Sequence, residues 1–130
     1  TEKSNIKIAT ANPEHAPYGE RSVEALKYYK LYNKVSQQLI FGDNISQAAQ
    51  FCLTGNADAG LLALSLVLSP SMTSQGKYYL IEEKSHSPLK QAYIILKNAK
   101  GNSEVYNFVN FIATKTARAI FEKYGFTLPK

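Results

Sequence analysis

Asn12-Pro13-Glu14-His15-Ala16-Pro17-Tyr18-Gly19 is the stretch from which the fold can be read. It follows an alternating run, Ile6 to Ala9, that reads as a strand, and it precedes a helical pattern beginning near Gly19. Each proline fixes φ and removes a backbone donor, and the residue before each is pushed into extended backbone. The expected result is a stiff strand-to-helix loop whose first available N–H groups lie at Tyr18 and Gly19. A helix start carries unpaired N–H donors and the positive end of the helix dipole, so it suits an anion. An ordinary connection with no ligand fits the same residues, because short loops of this kind are common.

Working outward, Val23, Leu26 and Tyr29 keep helical spacing from Gly19 to about Tyr32, with Glu20 early and Lys27 and Lys30 late to suit the dipole. Leu39-Ile40-Phe41 predicts a short strand ending at Gly42. Asn44 is a good N-cap and Gln47 completes a capping-box pattern. Ile45, Ala48, Ala49 and Cys52 then mark one helical face, which Thr54-Gly55-Asn56 stops. Ala59 to Leu64 reads as a strand buried on both faces. The order β-α-β-α-β predicts an α/β fold, a parallel sheet flanked by helices. Further on, Leu66-Val67-Leu68 suggests a short helix, and residues 77–81 and 91–97 read as strands separated by a polar loop, 82–88. Asn102 or Ser103 caps a helix bearing Val105, Phe108, Val109 and Ile112. Thr114 caps another bearing Ala117, Ile120, Phe121 and Tyr124, which Gly125 ends.

Composition narrows the function. At 130 residues with 45% hydrophobic content the chain has enough apolar surface for a real core, and no apolar run reaches membrane-spanning length. The net charge of +5 is spread along the chain without a basic stripe interleaved with aromatics, which argues against nucleic acid and favours a mild attraction for a small anion. The single cysteine, Cys52, excludes an internal disulfide and reads as an inert thiol on an apolar helix face. His15 and His86 are far apart and have no third ligand at metal spacing, so no metal site is expected. Asp43 before a helix suits the dipole better than a general base. No nucleophile motif or dinucleotide fingerprint occurs, so neither an enzyme nor a cofactor is expected.

Four blocks in order carry a resemblance: Asn12 to Gly19; Gly42-Asp43-Asn44-Ile45-Ser46-Gln47-Ala48; Thr54-Gly55-Asn56-Ala57-Asp58-Ala59-Gly60; and Ala119-Ile120-Phe121-Glu122-Lys123-Tyr124-Gly125-Phe126. Together they resemble the second lobe of the periplasmic molybdate-binding proteins of ABC transporters. The resemblance implies one lobe of a type II periplasmic binding protein. Residues 1–88 would form the second lobe, and 89–130 a crossing strand and C-terminal helices returning towards a first lobe. On this reading the chain is a fragment of a periplasmic protein, without a leader, that hands a molybdate or tungstate oxyanion to a membrane permease.

The resemblance also implies which residues hold the oxyanion. The family uses backbone N–H and hydroxyl donors with no counter-charge, and the matching backbone positions are Tyr18 and Ile45. Some members add a tyrosine hydroxyl where this chain has Ala63, which leaves Ser65 as the substitute donor. Lost contact with a first lobe would leave the C-terminal helices to dock on the chain's own sheet or to exchange with a second copy, with 82–88 as the hinge. A different reading is a ligand-sensing, oxyanion-binding module of a transcriptional regulator.

Overall fold

The computed structural model describes residues 5–129, in two compact units, the first running to Leu89 and the second beginning at Lys90. The first unit holds a three-stranded parallel sheet of β1 (Ile8–Ala11), β2 (Leu39–Gly42) and β3 (Ala59–Gly60), in the order β2-β1-β3. Around it lie α1 (Pro17–Tyr28), the short α2 (Tyr32–Val35), α3 (Ile45–Leu53) and the short α4 (Leu64–Val67). This is the α/β architecture expected.

The central strand is built of small residues, and its two faces serve different helices. Successive side chains of a strand point to opposite faces. Thr10, fully buried, donates its hydroxyl to Ser22 Oγ of α1 at 2.8 Å, and Ser22 donates in turn to Tyr18 O at 2.9 Å. Its neighbour Ala9 packs with Ala48 of α3 and Ala57, ringed by Ile40, Ile45, Phe51, Cys52 and Leu62. The two helices therefore cover opposite faces. Among the described residues Thr10 is the largest side chain that is fully buried, so cohesion comes from close backbone approach more than from bulk.

Several boundaries differ from the sequence expectation. β1 lies two residues later than Ile6 to Ala9, because its register, Ile8↔Leu39 to Ala11↔Gly42, is set by its partner. Lys7, just before it, is held by Asp58, which accepts Lys7 N–H on Oδ2 at 2.8 Å and donates its own N–H to Lys7 O at 2.9 Å. β3 is not a strand buried on both faces from Ala59 to Leu64: it has two residues, both exposed, at the sheet edge. α1 starts at Pro17, a residue preorganised for the first helical position, and stops at Tyr28 rather than Tyr32.

That early stop has a local cause. Lys30 adopts the left-handed conformation at φ 57°, with its N–H on Lys27 O at 3.0 Å and the Leu31 N–H on Leu26 O at 2.8 Å. This is a Schellman cap with lysine where glycine is usual. The Cβ makes the position costly, so Lys30→Gly is expected to stabilise the chain by about 0.5–1 kcal/mol. Urea unfolding would read this as a raised midpoint, and an unchanged or lower midpoint would refute it.

Residues 77–81 and 91–97 do not form the expected strands. Apolar alternation encodes a face but not a pairing partner, and among the described residues these segments join no ladder. Tyr79 is 90% and Ile94 79% exposed. The expected hinge, 82–88, is a strap pinned to α1. Ser87 N–H donates to Glu24 Oε2 at 2.6 Å, and buried Ser85 donates its hydroxyl to Glu82 O at 2.7 Å. The bond from Ser87 N–H is the main reason that the Glu24 carboxyl is held below the usual carboxylate range.

In the second unit, α5 (Ser103–Ile112) is capped by Asn102, which accepts Glu104 N–H, and α6 (Lys115–Lys123) by Thr114, which accepts Ala117 N–H. Gly125, at φ 82°, follows α6, and Phe126 folds back edge-on to Phe121 with ring centroids 5.8 Å apart. Phe108 and Ile120 remain largely exposed, at 63% and 49%.

Candidate functional site

Parallel strands deliver all their exits to one edge of the sheet, and the crevice beyond the carboxyl ends is where such folds bind ligands. Here the loop after β1 leads into α1, the loop after β2 into α3, and the loop after β3 into α4. Tyr18, Ile45 and Ser65 each fall in the first turn of the helix that follows its strand. Tyr18 is half-buried in α1; Ser65 is half-buried in α4, on a helical turn rather than a strand.

Close approach at this edge requires glycine. A Cβ on Gly19 would overlap Ala11 O and lie 2.7 Å from Pro13 N. One on Gly42 would lie 2.7 Å from Ala48 N. The first turns of α1 and α3 are thus seated directly on the ends of β1 and β2. Sequence reasoning treated these glycines as punctuation, although a glycine at each strand-to-helix junction was the available signal.

The first loop is internally braced. Asn12 Oδ1 accepts Glu14 N–H at 3.0 Å, and Asn12 O accepts Ala16 N–H at 2.9 Å. No side chain caps α1 at Ala16. Gly19 N–H, expected to be available, is spent on Ala16 O at 2.9 Å. In the second loop Asn44 Oδ1 accepts Gln47 N–H at 2.9 Å, as expected for an N-cap. The capping box is displaced by one residue, since Gln47 Oε1 takes the N–H of Asp43, at 2.6 Å. Among the described residues no acceptor takes the N–H of Ile45 or Ser46.

Two bonds tie the loops together: Asn12 N–H to Gly42 O at 2.8 Å, which prolongs the β1–β2 ladder, and His15 Nε2 to Asp43 O at 3.1 Å. His15, read from sequence only as a poor metal ligand, is therefore a link between loops. Among the described residues no three acidic, histidine or cysteine side chains gather as a metal site. Cys52 is half-buried beside Gly60, and burial raises its thiol above the usual range, in keeping with an inert role. This edge can present uncharged N–H donors to an anion from fixed positions.

A parallel sheet with helix starts gathered at its carboxyl edge is an arrangement that can take a small ligand, and the family match says of which kind. The chain belongs to the bacterial extracellular solute-binding proteins, whose family model matches residues 1–127; this is a family of binding proteins, not of enzymes. Among its relatives, the molybdate-binding protein ModA of Rhodobacter capsulatus is 31% identical over 119 residues, covering 92% of this chain and 46% of that protein. ModA of Azotobacter vinelandii is 31% identical over 121 residues, covering 93% of this chain and 48% of that protein. The solved structure of the Azotobacter vinelandii periplasmic molybdate-binding protein superposes with a TM-score of 0.87 at 24% identity, over 99% of this chain and 57% of that one. The chain thus spans about half the length of the relatives that it matches. The regulator reading gains no support from these likenesses.

Proposed function

We propose that this chain supplies one half of the oxyanion site of a periplasmic molybdate-binding protein, which delivers its ligand to the permease of an ABC transporter. The observation that carries this reading is the pair of first turns, of α1 and α3, seated on adjacent strand ends and tied by two inter-loop bonds. In this reading the N–H groups at Tyr18 and Ile45 and the hydroxyl of Ser65 face a tetrahedral dianion, with the remaining donors coming from the other half of the full-length polypeptide. Helix starts hold such a dianion without a lysine or arginine. Molybdate and tungstate have the same charge and shape, so both are ligands in this proposal. Self-association of the chain has no supporting observation and forms no part of it.

The test is a calorimetric titration of the full-length polypeptide with molybdate, tungstate and sulfate. One molybdate per chain is expected, with sulfate much weaker. Absence of binding, or equal affinity for sulfate, would end the proposal. The 130-residue chain alone should bind several orders of magnitude more weakly, since each lost bond to an ionised ligand is worth roughly 1.5–3 kcal/mol.

A further inference from the structure

We infer that His15 is a positioning residue for the oxyanion site, holding the peptide group that leads into the Ile45 donor. The inference rests on the oxyanion reading above. His15 is exposed and could have turned to water, yet its ring reaches 28 residues along the chain to Asp43 O. A carbonyl oxygen only accepts, so Nε2 carries a proton and is the donor. The peptide plane that contains Asp43 O also contains the Asn44 N–H, pointing the opposite way. On the other side of the same residue, Gln47 Oε1 holds Asp43 N–H at 2.6 Å.

Both peptide groups flanking Asp43 are thereby fixed by side chains, one from the α1 loop and one from α3. With them is fixed the direction in which the backbone enters α3 and aims the Ile45 N–H. Because the ring belongs to the loop that leads to Tyr18, this bond links the two helix starts, beside the bond from Asn12 N–H to Gly42 O.

The variants separate this role from general stability. The Nε2 of glutamine lies where histidine Nε2 lies, whereas asparagine can place a donor only at the Nδ1 position. In the full-length polypeptide, His15→Ala is expected to weaken molybdate binding about tenfold, the equivalent of one hydrogen bond. His15→Gln should restore most of the loss and His15→Asn should not, with all three variants melting close to wild type. Wild-type affinity in His15→Ala, or no rescue by glutamine, would overturn the positioning role. Nitrogen-15 NMR of the imidazole in the same polypeptide gives a readout independent of ligand. A proton on Nε2 is expected, and protonation on Nδ1 alone would refute the bond to Asp43 whatever the molybdate result. Failure of the wild type to bind molybdate while the Nε2 tautomer is found would overturn the oxyanion role and leave the loop link standing.

Discussion

Ile45→Pro is expected to weaken molybdate binding by the full-length polypeptide roughly ten- to a hundredfold, while Ile45→Ala changes it little. The contrast works because the backbone already accommodates proline there. Asn44, the preceding residue, is extended at φ −148° and ψ 173°, which a following proline requires. Ile45 is the first residue of α3, the helical position that proline tolerates best, and no described protein group accepts its N–H. Both variants lose the side chain that packs against the Ala9, Ala48 and Ala57 cluster, so both should lose similar stability. The difference between them isolates one N–H. Equal affinities in the proline and alanine variants, measured by calorimetry, would show that this donor does not touch the ligand.

Gly19→Ala should produce the largest loss of stability of any single-methyl change in the first unit. In most helices the exchange would gain about 1 kcal/mol in propensity. Here the added methyl overlaps Ala11 O and crowds Pro13 N, and both are backbone atoms with no side-chain freedom to yield. Overpacking of this kind costs typically 1–3 kcal/mol and occasionally more. With so few bulky side chains in the core, nothing nearby can be repacked to relieve it. An overlap this deep puts the cost at the upper end of that range, and after the propensity gain a net loss of about 2 kcal/mol is expected, which for a chain of this size lowers the melting temperature by roughly 5–10 °C. Gly76→Ala is the control, since a Cβ there meets nothing within 4 Å. Equal melting of the two variants would refute the account of a helix seated on a strand end.

Interactions between near neighbours in the chain are legible in its sequence, and those between distant segments are not. The β-α-β-α-β order was legible because strand–helix alternation, the Asn44 cap and Pro17 act within a few residues. The left-handed Lys30 was not, since nothing in a run of Lys-Tyr-Tyr-Lys marks where a helix will break. Residues 77–81 and 91–97 misled for the opposite reason. Their alternation describes a surface wanting cover, while a strand exists only when another backbone lies beside it. At the candidate site, the positions of Ile45 and Tyr18 at helix starts followed from capping and proline chemistry. The displaced capping box and the His15 link did not, because each depends on two loops meeting across a sheet edge. Gly19 and Gly42 were visible as letters, but their reason lies in the distance to another segment.

The buried relay from Thr10 through Ser22 to Tyr18 O bears on how a ligand is met. The bond from Thr10 to Ser22 is buried, so α1 cannot roll about its axis without breaking a bond that water cannot reach to replace, and Ser22 in turn holds Tyr18 O in the first turn. A loop that had to search for its bound shape would slow capture and make each encounter conditional on the state in which it was found. Here the orientation of that turn is settled when the chain folds, so the anion of the proposed function would find it already set.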